Sequence, residues 1–132
     1  MAQAGLHAAV GYQLRKILPY EVRLFPALMF GSMLPDLDII VVAIASIFYP
    51  INQAETIFHR TFSHSFFTLI FVYLLFAILS ELKNISLLKT IGKGLALGML
   101  FHLLLDTLIW FSHINLLWPL PVHPINIWTT YH

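Results

Sequence analysis

The chain has 132 residues, 59% of them hydrophobic and only 10% charged, with a mean hydropathy of +0.83 and a formal charge of +1. Soluble domains carry about 25% charged residues, and a chain this short leaves roughly a third of its unfolded surface exposed after folding, so water is excluded as the solvent for much of it. Seven basic against six acidic side chains leave no basic patch for nucleic acid, and the absence of cysteine removes disulfides, zinc-thiolate sites and thiol nucleophiles together.

The composition predicts an all-α fold, a small multi-helix membrane bundle forming a single membrane-embedded domain over 1–132. Ala2 to Leu18 reads as a short amphipathic helix closed by Pro19. It lacks the basic start and long apolar core of a secretory signal, because Arg15 and Lys16 follow the apolar stretch and His7 interrupts it, so it is read as retained. Leu24 to Tyr49 is long enough to cross a bilayer, but Gly31 and Pro35 interrupt it and Asp36 and Asp38 sit inside it. Proline removes a backbone donor and disturbs the preceding turn, so this segment is expected to be two shorter helices meeting at a polar break. The runs Phe66 to Leu82 and Leu87 to Phe111 are the clean spans, each close to the roughly 20 residues that cross about 30 Å of hydrocarbon. The tail from Ser112, with Pro119, Pro121, Pro124, Trp118 and Trp128, suits an interfacial segment anchored by aromatic rings.

The cations fall into two groups: Arg15, Lys16 and Arg23 early in the chain, and Lys83, Lys89 and Lys93 between the clean spans. The positive-inside tendency places both on the cytoplasmic side, with Arg60 as the exception. Measured from those groups, His7 lies 8 residues from Arg15, Asp36 lies 13 from Arg23, His64 lies 19 from Lys83 and His102 lies 9 from Lys93. At about 1.5 Å per helical residue the offsets are roughly 12 to 28 Å, which gathers the polar groups between the bilayer midplane and the far face.

His102 and Asp106 carry the strongest signal. A spacing of four sets both on one helix face, among uniformly apolar neighbours, where an isolated carboxylate costs about 2.5 to 3.5 kcal/mol. A plain His–Asp pair, or an ion pair of Asp106 with Arg60, is the structural reading, and metal ligation is the functional one. Asp36 and Asp38 follow Pro35; helix capping accounts for one of them, while two carboxylates beside Ile39-Ile40-Val41-Val42 also suit a divalent cation. In His59-Arg60-Thr61-Phe62-Ser63-His64-Ser65, Ser63 is a plausible helix cap, and the two imidazoles and the guanidinium remain for a metal and an anionic substrate. His7 is a weaker candidate ligand, and His113, His123 and His132 read as interfacial. Serine chemistry at Ser63 or Ser65 lacks a Gly-x-Ser-x-Gly elbow, and no glycine-rich phosphate loop is present.

In order, these pieces are His7, the run Gly31-Ser32-Met33-Leu34-Pro35-Asp36-Leu37-Asp38, His59-Arg60, Ser63-His64-Ser65, His102-x-x-x-Asp106 and Trp118-Pro119. Together they resemble the YdjM-type family of bacterial inner-membrane metal-dependent hydrolases. The resemblance covers His7 to Pro119 and implies a multi-pass protein of the bacterial inner membrane with a metal-dependent hydrolase activity. A fainter similarity, resting on His102 and Asp106 with Asp36 or Asp38 and His64 as looser counterparts, links the chain to the helical zinc-dependent phospholipase C and single-strand nuclease fold.

The expected mechanism is hydrolysis of a phosphoester or other ester at the membrane. A divalent metal, zinc given the imidazoles, is held by His64, His102, Asp106 and one of Asp36 or Asp38, and a second ion could draw on His7 or His59. Arg60 and Asp38 are the expected catalytic residues, Arg60 by neutralising charge on a phosphoryl oxygen. The expected partners are membrane lipids, with no nucleic acid. The alternative from another class is a non-enzymatic membrane protein that binds or passes a divalent cation or proton, since buried carboxylates and histidines serve transport as readily. Haem ligation is disfavoured by the carboxylates around the imidazoles.

Overall fold

The computed structural model describes residues 24–59, 61–109 and 114–121, together with Gly5, Ala9, Tyr12 and Gln13. Among these residues the chain is helical and without a ladder of strands. The order is α1 (Leu24–Met33), a 3-10 turn (Pro35–Leu37), α2 (Asp38–Ala45), α3 (Ile51–Phe58), α4 (Phe66–Lys83) and α5 (Ser86–Ile109). The expected amphipathic helix of Ala2 to Leu18 lies mostly outside the described residues. Its Tyr12 ring meets Phe25 of α1 edge-on, with centroids 5.7 Å apart.

α4 and α5 are long and apolar enough to cross a membrane, and the pair α1 with the turn and α2 would count as a third span, bent by 46° at its break. The break falls where Pro35 was expected to place it, and Pro35 opens the 3-10 turn. Neither acid is an N-cap: the N-cap positions are Leu34 and Leu37, neither makes a side-chain capping bond, and Asp38 closes the 3-10 turn only through its backbone N–H. Side-chain capping therefore does not account for either carboxylate, although Asp36 and Asp38 each lie in the first turn of their helix.

α4 starts at Ser65, not at Ser63 as the spacing suggested. Ser65 has extended backbone angles and its hydroxyl accepts from the Phe67 amide at 3.0 Å, satisfying one of the donors left over at a helix start. The helix ends at Asn84 in the left-handed region, where Ile85 N–H donates to Ser80 O and Asn84 N–H to Glu81 O, a Schellman closure that turns the chain directly into α5.

α5 is the central element. Its Gly94 and Gly98 face Ala27, Leu28 and Gly31 of α1 so closely that a Cβ on Gly31 or Gly98 would come within 3.0 Å of the opposing backbone. Lipid gives helices no hydrophobic reason to associate, so close packing through small residues is what joins such a pair. Two smaller clusters complete the interior: Val42, Ala45 and Ala54 with Phe58 between α2 and α3, and Leu103, Ile114 and Leu116 with Phe66 and Leu69. The second cluster belongs to the segment Ile114–Pro121, which returns against the first turn of α4. There Phe66 N–H donates to Leu116 O at 2.9 Å and the Ser65 hydroxyl donates to Trp118 O at 2.6 Å.

Candidate metal centre

Four elements deliver polar side chains to one place. The turn after α1 brings Asp36, the start of α2 brings Asp38, the connection before α4 brings His59, Ser63 and His64, and the last third of α5 brings His102 and Asp106. His64, His102, Asp38 and Asp106 are buried, while the Asp36 side chain keeps 19% of its surface open.

The hydrogen bonds fix which imidazole nitrogen carries the proton. His102 Nδ1 lies 2.8 Å from the Ser32 carbonyl oxygen, which can only accept, so Nδ1–H donates and, in the neutral ring, Nε2 carries the lone pair. The Ser63 hydroxyl donates to Asp38 Oδ2 at 2.7 Å and accepts from His64 Nδ1 at 2.9 Å, so His64 too presents an unprotonated Nε2. Burial lowers the pKa of His64 from its ordinary value, which keeps this ring neutral.

The two Nε2 atoms point at one another, 3.2 Å apart. Asp106 Oδ2 stands 3.4 Å from His64 Nε2 and 3.5 Å from His102 Nε2, and Asp36 Oδ1 is 3.6 Å from His102 Nε2. Asp36, His64 and His102 each offer a ligand atom within 4.8 Å of the others. Donor atoms this close repel unless a proton or a metal ion lies between them. Asp36, His64 and His102 thus form a group that could hold a metal ion.

Asp38 stands one step back. Its Oδ1 is 3.0 Å from His59 Nδ1, and its Oδ2 takes the Ser63 hydroxyl and lies 3.6 Å from His64 Nδ1, the nitrogen that faces away from the triangle. The structure thus brings together Asp36, His64, His102 and Asp106, with Asp38 and His59 as the neighbouring pair. His7 and Arg60 lie outside the described residues, as do His113, His123 and His132. Two contributors went unnoticed in the sequence. The Ser32 carbonyl holds His102, and a backbone oxygen has no residue-type signature. Ser63 holds His64, where its place just before the first clean span suggested a helix cap instead.

A protein-family model described as YdjM inner membrane protein matches residues 2–132. No curated protein and no solved structure matches the chain.

Proposed function

We propose, from the premise that the chain belongs to the YdjM inner membrane protein family, that it is a membrane-bound metal-dependent hydrolase acting on a phosphoester or other ester at the bilayer. The observation that carries this reading is the triangle of His64 Nε2, His102 Nε2 and Asp106 Oδ2, in which both imidazoles have already committed their other nitrogen to a hydrogen bond. His64, His102, Asp106 and Asp36 would hold the ion. Zinc suits a set of two imidazoles and carboxylates best. When bound, such an ion polarises an ester oxygen and brings the pKa of water towards 7.

The protein's own groups do the rest. Ser32 and the Asp38–Ser63 pair hold the two rings in the tautomer and orientation that aim Nε2 inwards, the usual task of groups behind metal ligands. The partly open Asp36 marks the side from which an ester and a water reach the centre. Asp38, set against His59 and Ser63, is a positioning residue for His64. Arg60, next to His59 in the chain, is assigned to the charge that develops on a phosphoryl oxygen.

A cation or proton carrier would need a polar way out at both ends. Towards the lysines, α5 is closed by Leu95 and Met99, both buried, and by the glycine contact with α1. These buried apolar residues on the lysine side favour a one-mouthed catalytic centre. The deciding experiment measures metal content and hydrolysis of a phospholipid panel for wild type beside Asp106→Asn, with zinc and proton flux into liposomes in parallel. Metal and turnover lost together support the hydrolase. Flux without turnover replaces it with the carrier, and metal content unchanged in the variant removes the centre altogether.

A further inference from the structure

Beside the polar cluster lies a cavity of about 260 Å³. It is lined by the apolar Leu34, Leu37, Val41, Phe62 and Met99 and touched by Asp38 and Ser63 of the cluster. The polar groups that touch it are already bonded. Ser63 donates to Asp38, and the Thr68 hydroxyl, also on the wall, donates to the Phe62 carbonyl. A water molecule needs two to four polar partners, so this cavity suits hydrocarbon and not solvent. At this size it is smaller than the roughly 300 to 1,000 Å³ of pockets that enclose whole small molecules, and it has room for part of one chain.

Its position fixes where such a chain comes from. Leu37 is 42% exposed and shares its side of the molecule with the exposed Ile40 and Ile44 of α2, a face of the bent pair that would meet lipid tails. Leu34, Pro35 and Leu37, which line the cavity, flank Asp36 in the chain, and Asp36 is the one of the four residues proposed to hold the ion whose side chain is partly open. A chain lying in the cavity therefore has its polar end next to the centre.

We propose that the cavity seats one acyl chain of an ester-linked membrane lipid, so that the substrate is drawn sideways from the bilayer and its ester is delivered to the Asp36 side of the centre. The substrate assignment rests on the hydrolase reading, whereas the acyl seat is tested without it. Full-length protein is reconstituted in phosphatidylglycerol nanodiscs containing a small fraction of the same lipid with a mid-chain diazirine, illuminated, digested and mapped by mass spectrometry. The expected result is label on Leu34, Phe62 and Thr68 together, competed away by unlabelled lipid. In Leu37→Trp, a change at an exposed mouth position that the fold tolerates, this label drops to background while label on Ile40, Ile44 and Phe71 stays. Label confined to those outward residues, or cavity label indifferent to Leu37→Trp, overturns the seat. In Asp106→Asn the cavity label is expected to persist while metal is lost. Wild type that labels the cavity but hydrolyses no lipid keeps the seat and rejects the hydrolase, and turnover without cavity label does the reverse.

Discussion

The two halves of α5 solve opposite problems on one helix. Its first half is joined to α1 by what is missing: Gly94 and Gly98 have no side chain, and the backbones come close enough that none would fit. Its second half is joined to the rest by what is present, the His102 and Asp106 side chains reaching into the polar cluster. The two are coupled, because the Gly98 contact includes the backbone of Ser32, whose carbonyl holds His102 one turn further on. Close packing here sets the position of a hydrogen-bond acceptor, and through it the direction in which a ligand atom points.

Changes in either half separate these tasks. The largest effect is expected for Gly98→Leu: a side chain there meets the Leu28 and Ser32 backbone, forcing the helices apart at a cost of about 1 to 3 kcal/mol or more, so that both the detergent melting temperature and the metal content fall. A variant that melts lower yet keeps its full metal would uncouple the two halves and refute the link through Ser32. Asp106→Asn should strip the metal while the melting temperature of the metal-free protein changes little, since the amide keeps the shape of the side chain; helical content by circular dichroism checks that the fold survives. Ser63→Ala removes only the group behind His64, and metal affinity by competition with a chelator should weaken roughly 10- to 100-fold, the usual loss for a partner of a metal ligand. The smallest effect is reserved for the end of the molecule away from the centre. Asn84→Ala puts a residue with a Cβ preference against the left-handed region at the close of α4, costing about 1 to 2 kcal/mol, with metal content unmoved. Metal loss in that variant would mean that the centre senses the whole hairpin and not only its own surroundings.

Much of this was legible before any coordinates. The clean spans and the break at Pro35 follow from hydropathy and proline chemistry, each a property of residue type. What escaped are matters of residue context. α3 is eight residues of mixed polarity, Ile51-Asn52-Gln53-Ala54-Glu55-Thr56-Ile57-Phe58, too short and too polar to stand out beside the spans. Ser63 and Ser65 are both acceptable caps two residues apart, and only the docking of the later segment selects Ser65. Asp36 and Asp38 look equivalent as residue types. A tight turn sends one carboxylate towards His102 and the other towards His59 and Ser63, and that divergence is tertiary.

The bonds that pin the beginning of α4 reach forward to Leu116 and Trp118, the latter 53 residues beyond Ser65. During synthesis the stretch bearing His64 is therefore made well before its anchor exists. Both arms of the α4–α5 hairpin must be threaded into the bilayer before the loop can be locked, which makes assembly of the ligand cluster a closing act of biogenesis and ties it to insertion of the whole hairpin.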